Sequence, residues 1–265
     1  MTLPGRKLTP TSSIESVDYS LLREYLDSRA HRADDFLQKS LLGELIGKYV
    51  DLERRVDALL KNTLPATVAE EIKHSGTFSP RSYDCSILFS DIAGFTRLAE
   101  RVPGEVLLQM IDALFRGFDE IMERFGGTKI KTIGDAYMAV FGAPEPLENH
   151  AVQAVKTALA FQDFVQRFRG ARDLDLGLRI GVHSGSVMAA VVGKERMQFD
   201  VFGDNVNVAS RMESAGEIDR VNVSHEVYLR AADAFIFRER GEIPLKNRGL
   251  MRAYFVEGER KDVPQ

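Results

Sequence analysis

The chain has 265 residues, of which 44% are hydrophobic and 28% charged, and these values suit one globular domain with a short extension. The net charge of −4 and the lack of a long basic run argue against a nucleic-acid partner. A single cysteine, Cys85, excludes an intramolecular disulfide. Because no signal-peptide pattern and no long uninterrupted apolar run occurs, the sequence predicts a cytoplasmic protein without a direct membrane span.

The first part of the chain predicts a polar lead followed by helices. Residues 1–34 are polar, and residues 35–78 form a helical linker in which Pro65 ends or kinks the first helix. Apolar residues recur there at steps of three and four, the spacing of a coiled-coil seam: Leu42, Leu45, Tyr49, Leu52, Val56 and Leu59. This seam favours a paired helix, and a single amphipathic helix lying on the domain is the alternative.

Beyond a boundary near Ser79, residues 79–260 alternate between strand and helix patterns. The predicted elements are a strand at 83–91, a helix at 105–124, a hairpin of strands 128–133 and 136–141, a helix at 148–169, strands 178–183 and 187–192 around a turn at Gly185, a helix after Gly203, a strand at 221–223, a helix from Ser224, and strands 235–240 and 254–256. Cys85 is predicted to be a buried strand residue. Hairpins interleaved with helices indicate an antiparallel or mixed sheet flanked by helices, which is the α+β class.

Two aspartates stand beside glycines at predicted strand ends. Asp91 ends the first strand, and Asp135 lies in the turn of the hairpin. Two such carboxylates could hold a pair of Mg²⁺ ions, although aspartates in these places are also common caps and turn formers. If Gly94-Phe95-Thr96 opens a helix, its free backbone N–H groups favour an anion such as a triphosphate. The chain has no P-loop motif.

A third pattern lies on the helix after Gly203. Asn207 and Arg211 are four residues apart, so they share one helix face. An arginine in this place could stabilise developing phosphate charge, and a surface arginine is the alternative.

Taken together, these segments resemble the signatures of class III adenylate and guanylate cyclase catalytic domains. The matching segments are Phe89–Thr96, Lys131–Asp135 and Asn207–Arg211, in the family's order, and the resemblance extends from about Tyr83 to Val256. The stretch Leu59–Pro65 is similar to the transducer segment that often precedes such domains. The resemblance implies a sheet of ferredoxin-like topology flanked by helices, and a head-to-tail homodimer.

The resemblance also implies roles for individual residues. Asp91, Asp135 and the carbonyl of Ile92 would bind two Mg²⁺ or Mn²⁺ ions per active site. Asn207 would position the ribose, and Arg211 would stabilise charge on the transferring phosphoryl group.

Further substrate contacts are implied for the phosphates. Gly94, Phe95 and Thr96 would contact the triphosphate. Lys246 falls where the family has a lysine for the terminal phosphates, although the following residues depart from the usual Lys-Gly-Lys-Gly pattern. His183 is expected to be structural.

In the family, the positions of Lys131 and Asp200 read the purine. Lysine can donate to adenine N1 and aspartate can accept from the 6-amino group, whereas guanine presents the opposite pattern, so we expect ATP rather than GTP. Because family members place the metal aspartates on one subunit and the purine-reading pair, asparagine and arginine on the other, one copy of each set implies a homodimer. An upstream regulatory protein or domain could act through the N-terminal helix.

Three alternatives compete with an adenylate cyclase. A guanylate cyclase is disfavoured by Lys131 and Asp200. A catalytically silent nucleotide-sensing or dimerisation module would not need the full set of residues. Another two-metal phosphoryl-transfer enzyme, such as a polymerase-like palm, would leave the Asn207/Arg211 helix unexplained.

Overall fold

The computed structural model describes residues 33–245 and 249–260, and the chain divides after Phe78 into two compact units. Most of the predicted N-terminal segment and the predicted phosphate lysine, Lys246, therefore lie outside the described residues. No helix within the described ranges has the length and apolar character needed to cross a lipid bilayer.

The first unit consists of helix α1 (Ala33–Lys61) and helix α2 (Ala66–Ser75). Ion pairs from Lys61 to Glu70 and from Lys73 to Asp57 join the two helices, at 2.9 and 2.8 Å. The residues of the predicted seam are all solvent-exposed in the single chain. Their pairing with a second helix stays a prediction.

The second unit is built on one mixed sheet. Its elements are β1 (Arg81–Ala93), α3 (Phe95–Ala99), α4 (Gly104–Phe125), β2 (Thr128–Ile133), β3 (Ala136–Phe141), α5 (His150–Gly170), β4 (Gly177–Val192), β5 (Gln198–Phe202), α6 (Asp204–Ser214), β6 (Arg220–Ser224), α7 (His225–Ala231), β7 (Phe235–Leu245) and β8 (Gly249–Glu259). The strand order is β2-β3-β1-β4-β6-β8-β7, and β5 pairs with β4. The succession β1-α4-β2-β3-α5-β4 with this order is ferredoxin-like, so the predicted α+β class is confirmed.

Apolar side chains cover both faces of the sheet. Helices α4, α5 and α7 share the larger core with it, in which the rings of Phe118 and Phe161 stack with centroids 4.0 Å apart. Helix α6 closes a smaller cluster with β7 and β8, which includes Val208 and Met212. Gly181 permits the close approach of α6, because a Cβ there would clash with the backbone of Glu213.

The predicted turn at Gly185 is wrong. Strand β4 runs without interruption through this residue, which pairs with Cys85 on β1. The glycine instead makes room for a neighbouring side chain, since a Cβ would lie 2.6 Å from the amide nitrogen of Asn205. The buried strand position of Cys85 is confirmed.

The predicted strands near the end of the chain are too short. Strand β7 continues past residue 240. Gly241, with φ of 83°, lies at an irregularity in the β7–β8 ladder, and the pairing resumes after it. Strand β8 likewise begins before residue 254, at Gly249.

Candidate active site

The two predicted metal aspartates lie at one end of the sheet, Asp91 on β1 and Asp135 in the turn that leads into the neighbouring strand β3. Asp91 pairs with Ala136 across the β1–β3 ladder, and Asp135 directly precedes Ala136 in the turn between β2 and β3. The turn needs Gly134 in a left-handed conformation, with φ of 64°. Both carboxylates are partly exposed, so they can receive ligands from solvent.

Asp91 and Asp135 are close enough for their charges to interact. Burial raises the pKa of Asp135, and the neighbouring charge of Asp91 raises it further. Among the described residues, no three His, Cys, Asp or Glu side chains are grouped to hold a metal by themselves. Two carboxylates alone fit Mg²⁺ or Mn²⁺, because these ions take oxygen ligands and complete their shell with water and substrate phosphates.

Ile92, whose carbonyl is the third predicted metal ligand, continues strand β1 after Asp91. It pairs with Leu178 on β4, and its side chain is buried. The sheet therefore fixes the backbone beside Asp91, and metal binding by this carbonyl stays a prediction.

Two further charged residues, Arg179 and Glu213, lie beside the aspartates. The sequence analysis missed both of them. Arg179 is the cross-strand partner of Asp91, and its Nη2 donates to Asp91 Oδ2 at 2.5 Å. Its Nε lies 3.3 Å from Glu213 Oε1, at ion-pair distance but without a hydrogen bond. Burial raises the pKa of Glu213, and the charge of Asp91 adds to this. The one available signal was a lone arginine inside the apolar pattern 178–183.

The segment after Asp91 forms a short helix, the case that the sequence analysis considered as a condition for anion binding. Gly94, with φ of 91°, is the N-cap of α3, and a Cβ at this residue would lie 2.6 Å from the carbonyl oxygen of Asp175. Phe95 is half-buried and Thr96 is exposed. Contact of these residues with a triphosphate stays a prediction.

The two predicted purine-reading residues are in direct contact. Lys131 on β2 and Asp200 on β5 are 69 positions apart, and Lys131 Nζ donates to Asp200 Oδ2 at 2.5 Å. Asp200 is only 6% exposed, and its Oδ1 accepts a hydrogen bond of 2.9 Å from the Val201 N–H. The fold therefore presents one donor and one acceptor side by side.

Asn207 and Arg211 lie on α6, away from its buried face. Val208 and Met212 anchor the helix in the core, while Asn207 is exposed and Arg211 half-buried. Within residues 33–245 and 249–260, the side chains of Asn207 and Arg211 form no hydrogen bond or ion pair. Both are therefore free to meet a ligand.

His183 lies in the middle of strand β4 and is buried. Its Nδ1 shares a hydrogen bond of 2.8 Å with Ser224 Oγ, and its Nε2 lies 3.0 Å from Asn205 Oδ1 at the start of α6. These contacts join α6 to the sheet and place the imidazole within the protein core.

Residues 78–258 match the family model of the adenylate and guanylate cyclase catalytic domain. The chain belongs to this cyclase family. It is 40% identical over 206 residues to an adenylate cyclase of Mycobacterium tuberculosis, an alignment that covers 77% of this chain and 46% of the relative. The aligned part of this chain thus spans about half the length of that relative.

Solved cyclase structures of both substrate types are similar to this chain. The guanylate cyclase domain of RhGC from Catenaria anguillulae, in complex with GTP, has 33% identity and a TM-score of 0.66, covering 68% of this chain and 100% of that one. The adenylyl cyclase CyaB from P. aeruginosa has 30% identity and a TM-score of 0.67, covering 71% and 100%. Similarity in sequence and structure therefore does not distinguish ATP from GTP as the substrate.

Proposed function

We propose that this cyclase is an adenylate cyclase, which converts ATP into 3′,5′-cyclic AMP and pyrophosphate at sites shared between two copies of the chain. In this reaction the ribose 3′-oxygen loses its proton and bonds to the α-phosphorus, and the bond from that phosphorus to pyrophosphate breaks. The observation that carries the choice of ATP is the contact between Lys131 and Asp200.

The contact supports adenine because of its hydrogen-bonding pattern. Lys131 has only donors, and Asp200, held by the Val201 N–H, offers its carboxylate as an acceptor. Adenine N1 and the 6-amino group are an adjacent acceptor and donor, so one base edge can engage both side chains. Guanine would place a carbonyl against Asp200 and an N–H against Lys131, and a buried mispaired group costs about 1–3 kcal/mol.

The reacting end of the nucleotide would lie at the aspartate pair. Asp91, Asp135 and the Ile92 carbonyl would hold two Mg²⁺ or Mn²⁺ ions, which lower the pKa of a bound hydroxyl and offset phosphate charge. On this proposal Asn207 orients the ribose, and Arg211 donates to the oxygens of the phosphoryl group as their charge develops.

The remaining substrate contacts complete the proposed site. Gly94, Phe95 and Thr96 would contact the triphosphate, and Lys246 would bind the terminal phosphates.

The unpaired state of Asn207 and Arg211 supports sites shared between subunits. Both side chains are accessible on α6 and have no partner in their own chain within the described ranges, while Asp91 is engaged by Arg179. A second copy, arranged head-to-tail, would bring its aspartate pair to this α6 face. The exposed apolar seam of α1 supports a helix pair that holds the copies together, through which an upstream protein or domain could act.

The direct test is product identification. Purified protein is incubated with ATP or GTP and with Mg²⁺ or Mn²⁺, and the cyclic product is identified by chromatography and mass spectrometry. We expect cyclic AMP in preference to cyclic GMP, with activity lost in EDTA and restored by excess metal. Preferential formation of cyclic GMP would refute the choice of purine, and no cyclic product from either nucleotide would refute the enzyme.

Complementation tests the shared sites. Asp91→Ala and Arg211→Ala proteins should each be nearly inactive, and their heterodimer should contain one intact site of two. Free exchange in an equal mixture makes about half of the dimers mixed, so about a quarter of wild-type activity should return. No recovery, with subunit exchange demonstrated by differently tagged chains, would argue that each site lies within one chain.

A further inference from the structure

The last turn of α6 is held by two polar side chains that come from the sheet. Asn222 on β6 is fully buried, and its Nδ2 donates to the carbonyl of Met212 at 2.6 Å. Arg240 on β7 donates from Nη1 to the carbonyl of Ala215 and to Asn222 Oδ1, both at 3.0 Å. The two side chains therefore form one connected clamp on the end of the helix.

The two side chains bind polar groups that would otherwise lack hydrogen-bond partners. The final carbonyls of a helix have no partner within it, and a buried amide is costly unless its donor and acceptor are both used. Asn222 uses both, and the guanidinium of Arg240 lies where a helix end favours positive charge. A hydrophobic residue in place of Asn222 could fill the space but could not bind the helix end.

The clamp binds the helix end directly after Arg211 in the chain. The carbonyls that it binds belong to residues 212 and 215, and the carbonyl of Arg211 itself accepts from the Ala215 N–H at 2.9 Å. The backbone of Arg211 is thus fixed relative to β6 and β7, although its side chain is free. We propose that Asn222 and Arg240 are positioning residues that align Arg211 with the transferring phosphoryl group. This inference rests on the proposed cyclase function.

Arg238 provides a matched control on the same strand. Arg240 and Arg238 both lie over the ring of Phe255, with their guanidinium carbons 4.4 and 5.6 Å from its centroid. Arg238 pairs with Glu257 at 3.2 Å and, among the described residues, has no hydrogen bond or ion pair to α6. Its loss removes the same charge and a similar ring contact while leaving the clamp intact.

The experiment compares Arg240→Met with Arg238→Met in the full chain. A misplacement of about 1 Å at a reacting group can cost about 100-fold in rate, so we expect Arg240→Met to lower kcat at least about tenfold. The KM for ATP should change less than about twofold, because Arg211 acts mainly in the transition state. Arg238→Met should stay within about twofold of wild type, and Arg240→Lys should recover part of kcat.

A double-mutant cycle separates positioning from general damage. In an Arg211→Ala background, Arg240→Met should lower the residual kcat by less than about twofold, since the group it aligns is already gone. The inference is overturned if folded Arg240→Met keeps wild-type kcat, if Arg238→Met loses as much, or if the Arg240 effect persists undiminished without Arg211. Circular dichroism and gel filtration verify folding and dimer formation for every variant.

Two further comparisons cover a variant that does not fold and a wild type that is inactive. If Arg240→Met does not fold, Asn222→Ser takes its place, because it removes the donor to Met212 with a small polar side chain, and the same kinetic signature is expected. Wild-type protein is assayed beside each variant. An inactive wild type refutes the proposed function together with this inference, whereas an active wild type with an unaffected clamp variant refutes only the inference.

Discussion

Replacing Lys131 tests the proposed recognition of adenine. In Lys131→Met the donor to adenine N1 is lost, and a buried hydrogen-bonding group left unpaired costs about 1–3 kcal/mol. At about 1.4 kcal/mol per tenfold, kcat/KM for ATP should fall about 5- to 150-fold. The double variant Lys131→Glu/Asp200→Cys removes both adenine contacts, so the ratio of kcat/KM for ATP to that for GTP should fall at least about 30-fold.

The structure also predicts a difference in stability. Lys131→Met leaves the Oδ2 of Asp200, a carboxylate only 6% exposed, without its partner, which should lower the free energy of unfolding by about 1–3 kcal/mol. Lys129 on the same strand pairs at 2.8 Å with the more exposed Asp119, so Lys129→Met should cost only about 0–1 kcal/mol. Lys129→Met therefore serves as the matched control for both measurements.

The assay follows cyclic product with ATP and with GTP on the same protein sample, and thermal denaturation is recorded in parallel. A ratio of specificities does not depend on the folded fraction, because both substrates are measured on one preparation. An unchanged ATP-to-GTP ratio in the double variant would refute the assignment of these residues. An equal loss of ATP activity in Lys129→Met would show that the effect of Lys131→Met is not specific to the purine.

Three further outcomes are expected. Gly181→Ala should lower the free energy of unfolding by about 1–3 kcal/mol in thermal denaturation, because its Cβ would clash with the backbone of Glu213, whereas Gly170→Ala, with open space around it, should have no such cost. Burial raises the pKa of the Cys85 thiol to about 12, so at pH 8 a thiol reagent should label it only after denaturation, and rapid labelling of native protein would contradict its buried position. Leu52→Glu, which puts a charge on the exposed seam of α1, should shift sedimentation towards monomer; an unchanged dimer would exclude the seam as a necessary contact.

Local sequence patterns were sufficient for the parts of the fold that depend on neighbouring residues. The hairpin of β2 and β3 has the predicted bounds, because alternating strands and a Gly134-Asp135 turn are encoded within a few positions. Local residue patterns also placed Asp91 correctly near the end of a strand. The signature segments also identified the family, since residue types at fixed spacings in all three segments are needed together.

The error at Gly185 has a definite physical origin. Gly185 was predicted to be a turn because glycine permits unusual backbone angles, but the residue is needed for the close approach of Asn205 within a straight strand. Glycine serves both purposes, and only the packing of α6 on β4 distinguishes them. A neighbouring helix is not visible in a local pattern.

By itself, the sequence determined the class of fold and the family, and it proposed the residues on which a cyclase mechanism would depend. The tertiary structure decided which residues meet, including several that the sequence did not single out: Lys131 with Asp200, Arg179 with Asp91 across 88 positions, and the clamp of Asn222 and Arg240 on α6. Strand and helix periodicities follow from residues close in the chain. Contacts between distant strands follow from register, and register is fixed only when the whole sheet buries its apolar faces together.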